Sequence, residues 1–342
     1  MNNSEQKTLL LLKPRGFCAG VVRAIDIVRI ALETFGPPIY VRKEIVHNRF
    51  VVEELSAKGA IFVDEVDEVP DGQRIIYSAH GVAPEVREAS QRRGLRVIDA
   101  TCPLVTKVHV EAVRFAKEGY ALVLIGHRDH DEVIGTMGEA PEATQVVGSV
   151  AEVERLRVPD PSRVAYLTQT TLSLDETAGI VEALRRKFPL IKGPAAADIC
   201  YATQNRQTAV KEVVSPPGQA GAGLLGTGVK AELLLVVGST NSSNSNRLVE
   251  VARNLGSDAH LIENYRSIQP SWLQGIGTVA VTAGASAPEC LVEEVVSYLA
   301  SQGFTNVREL EVMPENVRFG LPPEIVQAIS GIPVGEAVES TS

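Results

Sequence analysis

The chain has 342 residues, of which 44% are hydrophobic, and a formal net charge of −9 at pH 7. This length suffices for two or three domains, and the interspersed charges of both signs disfavour extended disorder. The negative charge disfavours a general binder of nucleic acid or of anionic membranes.

One unit recurs along the chain: a short apolar strand, a polar turn that contains glycine, and an amphipathic helix. The predicted strands are 9–12, 75–77, 122–125, 164–167, 233–237 and 279–281. Helices are predicted from Pro84, from the turn at 168–171 to about Phe188, from about Asn246, and from Pro288. This alternation predicts parallel α/β sheets, in which ligands bind beyond the carboxyl ends of the strands.

The first strand and the cysteine count indicate a cytoplasmic protein. The apolar stretch 9–12 is followed at once by Lys13-Pro14-Arg15-Gly16, which favours a buried strand over a secretion signal. No apolar run reaches the ~20 residues that are needed to cross a bilayer. Four cysteines are too few for a secreted disulfide framework, so metal binding or catalysis is their expected use.

Three cysteines share one setting. Cys18, Cys102 and Cys200 each stand at the start of a predicted helix. A helix N-terminus stabilises the thiolate, which is the form that binds metal, so the three favour a shared centre over separate buried thiols. Because there is no Cys-x-x-Cys, the spacing leaves both zinc and an iron–sulfur cluster open. Cys290 lacks an equivalent, and we expect it to be an idle thiol.

The histidines divide into two groups. His47, His80 and His130 lie at predicted loop tips near strand ends, where side chains are available for binding or proton transfer. Glu132 follows His130 in a predicted loop and is a candidate proton relay. His109 lies on a predicted helix face, which favours a structural role.

A run of hydroxyl and amide side chains at 241–246 opens a predicted helix. A flexible linker, a helix cap and an anion cradle all fit this run. Thr170 and Ser286 open helices in the same manner. Neutral donors together with histidines suit a small diphosphate better than a nucleotide. The sequence has no G-x-x-x-x-G-K-[ST] loop and no G-x-G-x-x-G after a strand, so no ATP or NAD(P) site is expected.

Together these motifs resemble those of one family, the 4-hydroxy-3-methylbut-2-enyl diphosphate reductases (LytB family), which catalyse the last step of the methylerythritol phosphate pathway. The motifs are 14–21, 45–48, 78–82, 99–105, 135–138, 168–173, 198–203, 241–248 and 282–288. The resemblance covers roughly residues 9 to 324, with no motif missing. The chain departs from the family in a longer segment at 215–230, in Cys290, and in a tail beyond about Pro323 that has no functional counterpart.

The resemblance implies a trefoil of three similar α/β domains, with mostly parallel sheets, around a central iron–sulfur cluster. We assign residues 1–103 to the first domain, which contains Cys18 and whose N-terminal strand is a candidate member of the third domain. Residues 104–196 form the second domain. Residues 197–312 form the third, with a Gly/Pro-rich loop at 215–230, and residues 313–342 form a C-terminal tail.

The resemblance also implies the activity: reductive dehydroxylation of (E)-4-hydroxy-3-methylbut-2-enyl diphosphate to isopentenyl and dimethylallyl diphosphate. It implies one 4Fe–4S cluster per chain with one open iron, held by Cys18, Cys102 and Cys200. The implied substrate-binding residues are His47, His80, His130, Thr170, Ser242, Ser243, Asn244 and Ser286. The implied catalytic residues are Glu132 as proton source, Thr170 beside the substrate hydroxyl, and His130.

The expected partners are the diphosphate substrate and reduced ferredoxin or flavodoxin as electron donor. We expect a monomer or weak homodimer that binds neither nucleic acid nor a membrane. Two alternatives stay open on the residues alone. One is a zinc-dependent hydrolase that uses the three cysteines and a histidine, and the other is a non-enzymatic iron–sulfur electron carrier or sensor.

Overall fold

A computed structural model describes residues 7–215 and 230–330. The strands are β1 (Thr8–Lys13), β2 (Ile39–Arg42), β3 (Ala60–Val63), β4 (Arg74–Tyr77), β5 (Arg96–Asp99), β6 (Ala121–Ile125), β7 (Thr144–Val147), β8 (Val164–Thr168), β9 (Leu233–Val237), β10 (Asp258–Ile262), β11 (Thr278–Ala283) and β12 (Asn306–Glu311). The α-helices are α1 (Ala19–Phe35), α2 (Arg49–Ala57), α3 (Pro84–Arg92), α4 (Pro103–Lys117), α5 (Asp131–Gly138), α6 (Val150–Arg155), α7 (Leu174–Lys187), α8 (Tyr201–Val214), α9 (Ser243–Asn254), α10 (Glu289–Ser301) and α11 (Pro323–Ser330).

The strands form three separate sheets. The first sheet has the order β3-β2-β4-β5, the second β7-β6-β8, and the third β10-β9-β11-β1-β12. Within the described ranges, every pair of neighbouring strands in these sheets is parallel. The predicted class, three α/β units with parallel sheets, is therefore confirmed, while the limits of the three domains remain a prediction.

The N-terminal strand lies in the third sheet. Leu9 of β1 is in register with Val279 of β11 on one side and with Val307 of β12 on the other. Helix α1, which follows, packs into the core of the first sheet, where Ile25 and Val28 are buried. The chain thus passes from the third sheet to the first between β1 and α1, and Cys18 lies at this crossing.

Strand β9, in the interior of the third sheet, is apolar along its whole length. All five of its residues are fully buried, and alternate side chains enter two different cores: Leu235 contributes to one face of the sheet and Leu234 to the other. A parallel strand covered by helices on both faces needs a continuous apolar run, not an alternating pattern.

The C-terminal part of the described chain closes on the first unit. Helix α11 contacts α1, and Ile325 is fully buried in the same core as Ile25. Part of the predicted tail, 313–330, is therefore structured; residues 331–342, and 216–229 of the predicted loop, lie outside the described residues. Within the described chain, no helix is both long enough and apolar enough to cross a membrane.

Candidate active site

Three helices begin at cysteines, as predicted. Cys18 is the N-cap of α1, Cys102 of α4 and Cys200 of α8. A Cβ atom placed on Gly20 would lie 2.8 Å from Cys102 Sγ and 3.8 Å from Cys18 Sγ. Both sulfurs therefore lie beside the position that a side chain at residue 20 would occupy. The Cys200 sulfur accepts the Thr203 N–H at 3.4 Å and lies 3.2 Å from the Thr203 hydroxyl.

The three cysteines are half-buried and close enough to influence each other electrostatically. Burial raises the pKa of Cys102 to about 12, and the Cys18 and Cys200 sulfurs contribute to this rise. Burial likewise raises the pKa of Cys200 to about 11, with a further contribution from Cys18. Three thiolates that lie close together repel one another unless a cation lies among them. This donor set suits a metal centre.

Three histidine rings converge beside the cysteines. The ring centroids of His47 and His80 are 4.1 Å apart and the rings are stacked. His130 stands nearly perpendicular to both, at 5.3 Å from His47 and 5.8 Å from His80. The three histidines follow strands β2, β4 and β6, so they lie beyond the carboxyl ends of these strands, where ligands of parallel sheets are expected to bind.

Two of these rings are held in the neutral form. Burial lowers the pKa of His130 to about 3 and lowers the pKa of His80 well below its ordinary value. The Nδ1 atom of His130 accepts the Glu132 N–H at 3.2 Å. The neutral His130 ring therefore carries its proton on Nε2, where it can be donated to a ligand.

Glu44 was not identified from the sequence. Its carboxylate lies 3.3 Å from Nδ1 of His47 and accepts a hydrogen bond of 2.8 Å from the Asn241 amide. The hydrogen bond with His47 is the main reason why the pKa of Glu44 is lowered. Glu44 thus orients His47 and joins the first unit to the loop before α9. Its position three residues before a candidate histidine was the only signal in the sequence.

The hydroxyl and amide run forms the start of α9. Helix α9 begins at Ser243 and not at about Asn246, because the Ser242 hydroxyl caps it by accepting the Ser245 N–H at 3.3 Å. The Ser286 hydroxyl donates to the His47 carbonyl at 2.9 Å, and its oxygen lies 3.4 Å from the hydroxyl oxygen of Ser242. Of the three interpretations of this run, the linker is wrong and the helix cap is confirmed.

Glu132 differs from the prediction in its location. It lies in the first turn of α5, not in a loop, and only 3% of it is exposed. The Thr170 N–H donates to one carboxylate oxygen at 2.6 Å and the Thr170 hydroxyl to the other at 3.0 Å. Burial outweighs these hydrogen bonds and raises the pKa of Glu132 to about 7. The side chain can therefore hold a proton at neutral pH and release it.

All twelve side chains singled out in the sequence line one cavity of about 110 Å³. They are Cys18, Cys102, Cys200, His47, His80, His130, Glu132, Thr170, Ser242, Ser243, Asn244 and Ser286. Two residues near the cavity were not identified from the sequence. Thr203 also lines the cavity, and the buried Asp198 carboxylate accepts hydrogen bonds from Lys107 at 2.6 Å and from the Thr168 N–H at 2.9 Å. Both stand within three residues of Cys200, which was the available signal.

Three parallel α/β sheets that bring three cysteines and a polar cavity together define a metal-dependent enzyme with a small anionic substrate. The comparisons with known proteins identify the family. The chain belongs to the LytB family, whose model, described as LytB protein, matches residues 9–300. The resemblance seen in the sequence is therefore confirmed.

Relatives of known name are similar over almost the whole chain. One from Acidothermus cellulolyticus, named 4-hydroxy-3-methylbut-2-enyl diphosphate reductase, is 54% identical over 94% of this chain and 90% of its own length. One of the same name from Azoarcus sp. is 54% identical over 96% of this chain and 100% of its own length.

Two solved structures share the fold. The E-1-hydroxy-2-methyl-but-2-enyl-4-diphosphate reductase of Plasmodium falciparum matches with a TM-score of 0.88 and 40% identity, over 95% of this chain and 99% of the other. A second structure is described as (E)-4-hydroxy-3-methyl-but-2-enyl diphosphate reductase, the terminal enzyme of the non-mevalonate pathway. It matches with a TM-score of 0.59 and 29% identity, over 86% of this chain and 99% of the other.

The approach of two sulfurs at Gly20 yields a prediction. Gly20→Ala places a methyl group against Cys102 Sγ, so we expect overpacking that costs about 1–3 kcal/mol and less bound metal per chain. Gly179→Ala is the matched control: it lies within helix α7 with nothing within 4 Å, so we expect it to keep full metal content and to gain up to about 1 kcal/mol. Metal analysis of anaerobically prepared protein and thermal unfolding check both. Equal metal content in the two variants would contradict this packing argument.

Proposed function

We propose that this chain removes the C4 hydroxyl group of (E)-4-hydroxy-3-methylbut-2-enyl diphosphate reductively, giving isopentenyl diphosphate and dimethylallyl diphosphate. The observation that carries the proposal is the convergence, in one cavity, of three cysteines, three histidines and a buried glutamate. The names of the relatives from Acidothermus cellulolyticus and Azoarcus sp. support the substrate.

We further propose that Cys18, Cys102 and Cys200 hold one 4Fe–4S cluster. The residues fit such a group, because each cysteine stands at the N-cap position of a helix whose N-terminus favours negative charge, and all three line one cavity. The absence of a side chain at Gly20 leaves room between two of the sulfurs. When bound, a cluster with three protein ligands supplies electrons and one Lewis-acidic iron.

The polar wall of the cavity is suited to bind the diphosphate. His47, His80 and His130 offer ring N–H groups, and the residues at the start of α9, with Ser286, offer hydroxyl, amide and backbone N–H groups. These donors are mostly neutral, so they bind phosphate oxygens by directed hydrogen bonds. Because the cavity also reaches the three cysteines, a substrate fixed by its diphosphate is held for reaction at its other end.

Glu132 and Thr170 are suited to supply the proton for the leaving oxygen. The overall reaction consumes two electrons and two protons: the C4–O bond breaks, the oxygen leaves as water, and a second proton adds to carbon. Addition at either end of the allyl unit gives one of the two products. In our proposal, Glu132 is the acid for the oxygen, and the Thr170 hydroxyl, 3.0 Å from it, passes the proton on.

The electrons come from a separate protein in this proposal. The sequence has neither a dinucleotide fingerprint nor a P-loop, which supports reduced ferredoxin or flavodoxin as the donor in the cytoplasm. The donor is therefore replaced by a reduced dye in the assay below.

The proposal is tested by an anaerobic assay with reduced methyl viologen and the hydroxylated diphosphate. We expect substrate-dependent oxidation of the dye and formation of both isomeric products. Iron and acid-labile sulfide are measured on the same protein. Colourless protein with stoichiometric zinc would favour the hydrolase instead, and a reducible cluster without substrate-dependent dye oxidation would favour a carrier.

The ligand assignment predicts a difference between cysteines. Serine at position 18, 102 or 200 is expected to lower iron content, because a hydroxyl is a much poorer ligand for iron in a cluster than a thiolate. Cys290→Ser is the matched control, since that thiol is exposed and lines no part of the cavity. Iron and sulfide analysis after identical reconstitution decides. If Cys290→Ser lost as much iron as Cys18→Ser, the assignment would be wrong.

The role of Glu132 predicts a pH dependence. With a pKa of about 7, Glu132 is protonated below and ionised above this value, so kcat/KM is expected to fall as the pH rises through about 7. Glu132→Gln keeps the shape but removes the acid; we expect full iron content, turnover lower by about 100-fold or more, and loss of this part of the pH profile. Glu142→Gln, at an exposed position of the same unit, is the control and should leave iron content, turnover and the pH profile unchanged. A Glu132→Gln variant with wild-type turnover would remove Glu132 from the mechanism.

A further inference from the structure

His109, which the sequence predicts to have only a structural role, has its ring between the helix that begins at Cys102 and the turn that follows His80. It lies on α4, the helix that begins at Cys102, and is only 6% exposed. Its ring packs against the turn that follows His80. A Cβ atom on Gly81 would lie 2.9 Å from Cε1 and 3.2 Å from Nε2 of His109, and Gly81 has a φ of +81°. A side chain at position 81 is thus excluded both by the backbone conformation and by this ring.

Helix α5 packs against the same turn and the same ring, so that the turn at 81–83, His109 and α5 form a junction. A Cβ atom on Gly135 would lie 3.4 Å from His109 Cε1 and 3.4 Å from the carbonyl carbon of Gly81. One turn further on, a Cβ atom on Gly138 would collide with Ala83. The two glycines therefore let α5 approach the turn at 81–83 backbone to backbone. This explains the Gly135-Thr136-Met137-Gly138 motif, to which the proposed chemistry assigns no role.

A chain of polar contacts fixes the His109 ring. Its Nδ1 atom lies 3.0 Å from an oxygen of Glu139, the residue directly after α5, and Arg87 of α3 forms an ion pair with the same oxygen. Burial opposes ionisation of Glu139, but the hydrogen bonds from His109 and Arg87 outweigh it and lower its pKa. Three helices, α3, α4 and α5, are thus joined through one carboxylate.

This junction lies directly behind two of the three converging histidines. His80 precedes Gly81 in the turn, and His130 caps the start of α5. Their ring centroids are 5.8 Å apart. The Glu132 end of α5 is held separately by its two hydrogen bonds with Thr170. His130 stays with Glu132, whose N–H it accepts, so movement at the junction shifts the His80 turn relative to His130 and leaves the acid in place.

We propose that His109 is a positioning residue, which sets the spacing between the His80 turn and helix α5 and so the affinity for the diphosphate group. The inference rests on the proposed function, because it assumes that His80 and His130 bind one diphosphate. His109 itself does not line the cavity.

The test compares four variants of the cluster-loaded protein. His109→Leu removes the hydrogen bond with Glu139 and introduces an apolar side chain of similar size, whereas His109→Asn places an amide N–H donor near the position of Nδ1. Arg87→Met loosens Glu139 from a partly exposed position, with little risk to the core. Val110→Ala, at a 61% exposed position of the same helix, is the control. Binding of inorganic diphosphate is measured by calorimetry, and KM and kcat by the dye assay.

We expect His109→Leu to weaken diphosphate binding and raise KM by about tenfold while kcat changes much less, because only binding of the diphosphate is affected. Arg87→Met should act in the same direction with a smaller effect. His109→Asn and Val110→Ala should resemble the wild type, and iron content should be unchanged throughout. Because asparagine is smaller than histidine, restoration of affinity by asparagine separates positioning from simple filling of space.

Wild-type diphosphate affinity in both His109→Leu and Arg87→Met would overturn this inference and leave the proposed function intact. If His109→Leu fails to fold, Arg87→Met decides alone: an unchanged affinity overturns the inference. Failure of the wild-type protein itself to bind diphosphate would overturn the proposed function and this inference with it.

Discussion

The constraint on which the structure depends is the convergence of three cysteines on one cavity. Cys18, Cys102 and Cys200 come from distant parts of the chain, and each requires its own helix to begin beside the other two. The raised pKa values of Cys102 and Cys200 show that burial and the neighbouring sulfurs disfavour the thiolate form. A cation among the sulfurs would offset this effect, so the arrangement suits a metal centre, and the three sheets bring the helix starts together.

The connections between the sheets follow from this constraint. Strand β1 belongs to the third sheet while α1 packs on the first, so Cys18 lies where the chain changes units. Arg206 of α8 is fully buried; it donates to the Gly16 carbonyl at 2.7 Å and pairs with Glu315 at 3.0 Å. It ties the helix that begins at Cys200 to the turn before Cys18. Since a buried guanidinium that loses its partner is strongly destabilising, this contact fixes two of the three helix starts rigidly.

The features that could be predicted correctly from the sequence are those that depend on local patterns. The strand–turn–helix units and the helix starts at the cysteines are visible in short windows, so they could be predicted. The burial of Glu132 could not, because it results from Thr170, which is distant in sequence. The early start of α9 was missed because its first turn is polar and lacks the apolar periodicity that marks a helix. The roles of Glu44 and Glu139 also escaped, since an acidic residue in a sequence does not reveal its partner.

Burial in the cavity shifts the pKa values of its acid and its bases in opposite directions. Burial favours the uncharged form of every ionisable group, so it raises the pKa of Glu132 and lowers those of His80 and His130. Near pH 7 the two histidines are thus neutral donors, and Glu132 is in part a neutral acid. In the proposed function, a diphosphate meets N–H and O–H groups of this wall, while the carboxylates of Glu44 and Asp131 lie beside His47 without lining the cavity. An ionised Glu132 would repel the diphosphate, so the burial that is proposed to keep a proton on Glu132 for the leaving oxygen also removes a negative charge from the cavity.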